Sequence, residues 1–284
     1  MSVTLRKTLL PSLLERLQEY FPDSLKICGE IRCLIQEKWW QYSGYDVVVD
    51  KWPDFTTVIV KPDDTANQLL YRKYQHSVFT SDKVNLKQML KVPGVINWKK
   101  EMRFSAISET LFDVLKEASR ENGGELYVLP TAHVWSTDLN KLKIIPVPAG
   151  FHLTTLKVAQ AEFVAEIWDG SGDGTAEYIQ ALIKDYTSLA LYNETHNLIG
   201  YMLETNYDTM GMLYVKEEYR GQGFSKILVS NLSKLLLESG RMANVYIDSG
   251  NVVSAKLHKD LGFEMQDGCY SWLKYIPDRL VHSD

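Results

Sequence analysis

Apolar residues in the first half of the chain follow two rhythms. "TLLPSLLERLQEYF" (8–21) and "SLKICGEIRCLIQEKWW" (24–40) repeat Leu, Ile and aromatic side chains every three or four positions, as a helix with one buried face does. "YDVVVDKWP" (45–53) and "TTVIVKP" (56–62) are β-branched runs halted by Pro53 and Pro62, which predicts strands. "VNLKQMLK" (84–91) and "SAISETLFDVLKEASREN" (105–122) return to the helical spacing; Asn-Gly-Gly from Asn122 stops the second ahead of a strand in "ELYVLP" (125–130). "DLNKLKIIPVPAG" (138–150), with Pro146, Pro148 and Gly150, reads as a linker, so two domains are expected, 1–145 and 146–284.

The second half has a clearer order. A strand in "FHLTTL" (151–156) leads to a helix in "KVAQAEFVAEIWD" (157–169), a loop in "DGSGDG" (169–174) and a helix in "TAEYIQALIKDY" (175–186). "SLALYN", "LIGYMLETNYD" and "MGMLYVKEEY" form an antiparallel meander, the first two joined across "ETHN". A glycine turn then opens the helix "FSKILVSNLSKLLLE". The strand "NVYIDS", the helix "VVSAKLHKDLG" and a final strand pair around "MQDGCYSWLKYIP" complete the chain.

Composition narrows the function. With 284 residues, 45% of them apolar, the chain has material for two cores. The formal net charge is −5, and no cluster of Lys and Arg with interleaved aromatics tracks a phosphate backbone, so nucleic acid is not an expected partner. Three cysteines, Cys28, Cys33 and Cys269, match neither a disulfide framework nor a zinc site, which suggests a reducing compartment. His133, His152 and His196 lack ligand spacing, so no metal is expected. No segment is long and apolar enough to span a membrane, and Arg6, Lys7, Glu15 and Arg16 break the first apolar stripe as a secretory signal would not allow. An intracellular protein is expected, cytoplasmic or mitochondrial; Glu15 and Glu19 count against a mitochondrial leader.

The chemistry concentrates in "VKEEYRGQGFSKILVSNLSKLLLE" (215–238). Where glycines separate a strand end from a helix start, the backbone can approach a ligand closely, and the unsatisfied N–H groups of the first turn face it with the positive end of the helix dipole. Arg220, Gly221, Gln222, Gly223, Phe224 and Ser225 form such a phosphate cradle, written R-x-x-G-x-S. The spacing is not that of a nucleoside-triphosphate loop or a dinucleotide fingerprint. On its own, the pair of glycines is explained equally well as a tight turn.

The surrounding order resolves this. "LYVKEEYRGQGFSKILVSNL", followed by "NVYIDSGNVVSAKLHKDLGFE", resembles the GNAT superfamily of acyl-CoA-dependent N-acyltransferases, with Ser225 in place of the usual last Gly or Ala. "VDKWPDFTTVIVKP" and "VINWKKEM" resemble the glycine N-acyltransferase family. The resemblance implies an α/β (α+β) fold of two GNAT-like domains, each a mixed, mostly antiparallel sheet flanked by helices, the second with a splayed strand pair. It implies acyl-CoA or acetyl-CoA as co-substrate, held in the C-terminal domain by the turn. The main chain of Leu213, Tyr214 and Val215 and the side chain of Asn251 would hold the pantetheine arm, although Asn251 can equally cap its helix. The N-terminal domain, which lacks a phosphate turn, would shape the acceptor pocket, with Trp52 and Phe55 as candidate aromatics or core residues.

The family's general base is a Glu at the position of Thr209, which cannot serve. Asp208 is the neighbouring candidate, and Glu204, four residues back, would share its face on a strand. His258 stands where the superfamily has a Tyr that protonates the leaving thiolate, and an imidazole suits proton transfer near neutral pH. The expected function is acyl transfer to the amine of a small acceptor, an amino acid such as glycine. Alternatives are acetylation of a polyamine, an arylalkylamine or a protein N-terminus, or a module that binds acyl-CoA without turnover.

Overall fold

The structure is a computed structural model and describes residues 2–36, 44–63, 75–168 and 172–278. The chain divides into two compact units, Met1–Ala132 with Gly268–Asp284, and His133–Asp267. A single cut after residue 145 was expected, and the structure differs at both ends.

The first unit contains β1 (Val3–Thr4), α1 (Leu10–Leu17), α2 (Leu25–Gln36), β2 (Tyr45–Val49), β3 (Thr57–Pro62), β4 (Gln75–Thr80), α3 (Lys83–Leu90), β5 (Met102–Ser108), α4 (Phe112–Glu121) and β6 (Gly124–Val128). Helix α2 matches the expected 24–40 up to Gln36; residues 37–40 lie outside the described residues. "SAIS" is the end of strand β5 rather than the start of a helix, because its main chain pairs across the sheet and helix α4 begins only at Phe112.

The second unit holds most of β7 (Ala132–Thr137), then β8 (Phe151–Thr154), α5 (Ala161–Ile167), α6 (Thr175–Asp185), β9 (Ser188–Asn193), β10 (Leu198–Glu204), β11 (Met210–Val215), α7 (Phe224–Glu238), β12 (Ala243–Asp248), α8 (Val252–Asp260) and β13 (Glu264–Met265). The last strand, β14 (Tyr270–Pro277), returns to the first unit. It pairs antiparallel with β5 on one edge and β6 on the other, so the expected final hairpin does not form; β13 pairs with β7 instead.

In the first unit β1, β2, β3 and β4 pair antiparallel in that order, and β4 runs parallel to β5. One sheet face presents Val48, Ile59, Val78 and Phe104 to α3 and α4, whose Leu86, Leu90, Val114 and Leu115 close a core with Trp98 and Tyr275. The Tyr275 and Trp98 rings meet edge to face with centroids 5.1 Å apart, and the Tyr275 hydroxyl donates to the Trp98 carbonyl at 3.0 Å, which fixes "INWK" against the last strand.

"VDKWPDFTT" is a polar clamp on the β2–β3 hairpin. Asp50 Oδ1 accepts from the main-chain N–H groups of Thr56 (2.8 Å) and Thr57 (3.0 Å), while Oδ2 accepts from Thr56 Oγ1 (2.9 Å). Asn85 of α3 donates to Thr56 Oγ1 at 2.9 Å, tying the hairpin to the helix that Asp82 caps. Trp52 and Phe55 stack on each other, centroids 6.3 Å apart, and Phe55 is buried. These two aromatics shape the loop itself.

The supposed linker is a strap on the second unit. Ser230 and Asn231 of α7 bond the N–H (3.1 Å) and carbonyl (3.0 Å) of Ile145, Lys143 N–H donates to the Leu261 carbonyl, and Leu142, Ile145 and Val147 join the core under α7. Gly262 sits so close to this strap that a Cβ there would lie 2.0 Å from the Lys141 carbonyl oxygen.

Burial raises the pKa of Asp50, but the bonds from Thr57 and Thr56 outweigh it and hold the carboxyl below its usual range. Asp50→Ala should destabilise the protein by about 2–3 kcal/mol at neutral pH, because two main-chain donors lose their acceptor. With a lowered folded pKa, this contribution is present above the unfolded carboxylate pKa and is lost as pH falls through the folded value. Denaturant midpoints of wild type and variant should therefore converge in acid; a constant gap down to pH 2 would refute the assignment.

Candidate functional site

The site is built on an edge strand. In the second unit the antiparallel sheet runs β11-β10-β9-β8, so β11 is paired on one side only. Strand β12 lies beside β11, yet it hydrogen-bonds to β7. This is the expected splayed pair.

A bulge in β11 accompanies the split. The register passes from Tyr201↔Tyr214 to Leu203↔Gly211, leaving one extra residue on β11, and Met212 has φ +52°. A left-handed, non-glycine residue inside a strand costs of order 1 kcal/mol and turns the local main chain. Gly211, a glycine within a strand pattern, was the signal in the sequence.

The turn after β11 is an open helix start. Gly221 (φ +77°) and Gly223 (φ +86°) occupy left-handed conformations, and a Cβ at either would meet nothing within 4 Å. Glycine is therefore required here by backbone angle and not by crowding. None of the main-chain N–H groups of Gly221, Gln222, Gly223, Phe224 or Ser225 donates to another described group, and they open the 15-residue helix α7. Phe224 is the anchor of this cradle. It is buried against Phe151 (4.7 Å between centroids) and Tyr219 (6.0 Å). Arg220 turns back, and its Nε donates to the Val215 carbonyl at 3.1 Å. That bond occupies the carbonyl of one of the three residues expected to hold a pantetheine arm; Tyr214 faces Tyr201 within the ladder, since Lys216 N–H bonds the Ile199 carbonyl two residues on, and Leu213 is the strand position left.

Asn251 caps α8, its Oδ1 accepting from Ser254 N–H at 3.0 Å. Seven residues on, His258 is buried, with the edge of its ring against Phe263 (5.0 Å). Its Nδ1 lies 2.8 Å from the Ser254 carbonyl oxygen, an acceptor, so Nδ1 carries the proton. Nε2 is then an enclosed lone pair without a partner. Burial lowers the pKa, and the bond to Ser254 only partly offsets this. The resting His258 is a neutral ring whose N–H is already spent, which differs from the expected ready proton donor.

The carboxylates are arranged otherwise than the strand periodicity implied. Glu204 ends β10 and is buried in a bidentate pair with Arg241, whose Nη1 lies 2.7 and 2.5 Å from its oxygens, and it also accepts from Thr187 N–H. Asp208 lies beyond the strand in the turn, at φ +58°, and its carbonyl accepts from Asn244 of β12 at 3.3 Å. The two do not share a strand face, because the strand ends before Asp208. Thr209 is buried and hydrogen-bonded to Thr205, Oγ1 to Oγ1, at 2.8 Å. The Glu204–Arg241 pair had not been anticipated, since its partners lie 37 positions apart. Among the described residues, no group of three or more His, Cys, Asp or Glu side chains could hold a metal ion.

A strand pair splayed beside a glycine-opened helix defines an acyl-CoA-dependent N-acyltransferase of the GNAT class. Comparison with known proteins carries this further. Residues 1–187 match the family described as aralkyl acyl-CoA:amino acid N-acyltransferase, and 188–273 match FR47-like protein. The chain belongs to the aralkyl acyl-CoA:amino acid N-acyltransferase family. It is 25% identical over 280 residues to glycine N-acyltransferase of Mus musculus, covering 90% of this chain and 93% of that one. It is 23% identical over 273 residues to glycine N-phenylacetyltransferase of Bos taurus, covering 89% and 92%. Among solved structures, a Drosophila protein superposes with TM-score 0.80 at 18% identity, covering 98% and 99% of the two chains. A tandem GNAT protein from the clavulanic acid biosynthesis pathway superposes with TM-score 0.58 at 14% identity, covering 96% and 97%. The fold is thus two GNAT-like domains.

Gly223→Asp should reduce CoA affinity at least about a hundredfold, because it puts a carboxylate at the positive end of α7, whereas the milder Gly223→Ala should cost less. Neither Cβ meets a neighbour, so the cost to folding is the left-handed φ alone, about 1 kcal/mol, and affinity is read on the folded fraction. Calorimetric titration of folded Gly223→Asp with CoA giving wild-type affinity would remove the cradle from the site.

Proposed function

We propose that this enzyme transfers an acyl group from acyl-CoA to the amino group of a small amino acid of glycine's kind, and that the second unit carries the chemistry. The observation that carries the reading is the conjunction, within one unit, of an unpaired bulged strand edge with five unspent N–H groups at a helix start. Gly221 to Ser225 would bind the pyrophosphate. The main-chain edge at Leu213, together with the amide of Asn251, would pair with the amides of the pantetheine arm. Glycine as acceptor is supported by the names of the relatives. The three cysteines, all free, support a reducing compartment, cytoplasmic or mitochondrial.

In the reaction a neutral amine attacks the thioester carbon, the N–C bond forms, the C–S bond breaks, and one proton passes from nitrogen to the departing sulfur. Glu204 is committed to Arg241, and Thr209 cannot accept that proton. His258 Nε2 has the unspent lone pair, so we assign it the relay from amine to thiolate, with Asp208, the carboxylate next to Thr209 in the chain, as the alternative acceptor.

Two measurements check this. Acyl-CoAs of varied chain length, incubated with and without glycine and other small amines, should release free CoA only when an acceptor is present. Tight acyl-CoA binding with no acceptor-dependent release would mean a binding module instead. For the relay, His258→Ala should lower kcat about a hundredfold with acyl-CoA affinity unchanged, and His258→Tyr should retain much of the rate. An Ala variant that loses thermal stability but keeps kcat per folded molecule would make His258 purely structural.

A further inference from the structure

Tyr201 is a buried residue with an unused function. It lies in the middle of β10, directly opposite Tyr214 of β11. Its neighbour Gly200 faces α7, where an added Cβ would meet Leu228 at 3.1 Å, so alternation turns Tyr201 to the other sheet face. There its ring lies 5.3 Å from Tyr214 and 6.4 Å from Phe163 of α5, and Phe163 meets Tyr214 at 6.1 Å. The whole residue is only 1% exposed.

The hydroxyl makes no hydrogen bond with the protein, yet it is not among the fully enclosed polar atoms. The small exposed part of Tyr201 is therefore accounted for by its oxygen, a polar tip on an otherwise sealed ring. Buried tyrosine hydroxyls ordinarily find partners, because an unmade bond costs stability. The contrast lies on the next strand, where Tyr192 has its hydroxyl bonded to Gln160 at 2.9 Å. Burial, with a smaller contribution from Tyr214, pushes the Tyr201 pKa well above its usual value, so the group keeps its proton and can only donate or accept as a neutral hydroxyl.

We propose that Tyr201 donates a hydrogen bond to an oxygen of the bound substrates, beside the rings of Tyr214 and Phe163 and next to the bulged strand β11. This rests on the acyltransfer reading above. The oxygen is the carbonyl of the acyl thioester or the carboxylate of the amino-acid acceptor, and the two are separable by experiment.

The variant is Tyr201→Phe, which removes one oxygen and keeps the ring. Wild type is characterised first for CoA binding and acceptor-dependent CoA release; failure there would sink the acyltransfer reading itself. With wild type active, Tyr201→Phe should fold with an unchanged or higher melting temperature, since it deletes an unpartnered hydroxyl, and should lose at least about tenfold in kcat/KM. Calorimetry then assigns the oxygen. A drop of about fivefold or more in affinity for S-acetonyl-CoA, a ketone that cannot transfer its acyl group, with CoA itself unaffected, assigns the acyl carbonyl. A rise in KM for the amino acid, absent with an amine lacking the carboxylate, assigns the acceptor. If Tyr201→Phe leaves kcat/KM and both affinities at wild-type values, the proposal is overturned.

Discussion

The structure of the second unit turns on a hydrogen-bond ladder that does not form. Strands β11 and β12 lie side by side, and in an ordinary sheet their main chains would pair. Unpaired main-chain groups are costly when buried and stay cheap only where water or a ligand reaches them. The bulge holds the edge open. The extra residue at Met212 turns the main chain of β11, while β12 pairs with β7 on its far side. Arg241, just before β12, grips Glu204 at the end of β10, and Asn244 of β12 bonds the Asp208 carbonyl. The strands are thus fastened at one end and parted along the rest. A ligand with amides along its length is the natural third strand for such a gap, by the same main-chain logic that lets peptides add to sheet edges.

The first unit shows that a bulge alone does not make a site. Strand β5 carries a positive φ at Ala106 (+50°), and its register against β14 likewise slips by one residue. There β5 is hydrogen-bonded on both sides, parallel to β4 and antiparallel to β14. The last strand of the chain thus occupies the edge that stays free at β11. Among the described residues of this unit, no glycine turn opens a helix. The same backbone device has been closed by the protein's own strand in one unit and left open in the other.

What could be read from the sequence was what local chemistry determines. The turn was legible because glycine freedom and helix starts are properties of neighbouring residues, and the β9–β11 meander was legible because its strands are joined by short loops. Long-range pairing was not. Nothing in "CYSWLKYIP" announces that it inserts between β5 and β6, more than 140 positions from its partners. The strand in "TAHVWST" was missed, because its partners β12 and β13 come late in the chain. "IIPVPAG" looked like a linker because prolines and a glycine punctuate it, although Ser230 and Asn231 bind it down. The position of His258 could be read, but its tautomer could not, since the Ser254 carbonyl selects it through helix geometry.

Thr209, at the position where the resemblance leads one to expect a carboxylate, bears on how such a site could work. A glutamate at this buried position would need a compensating partner, and burial would raise its pKa toward that of a useful base. Thr209 and Thr205 instead satisfy each other at 2.8 Å with no charge to stabilise. The nearby carboxylate, Glu204, has both oxygens engaged by Arg241 and accepts a main-chain bond from Thr187 besides. Under the proposed relay, the proton would instead be carried by the lone pair of a desolvated imidazole, that of His258. A ring with a lowered pKa takes up a proton reluctantly and releases it readily. That combination suits a transfer in which the proton rests on the protein only between leaving the amine and reaching the sulfur.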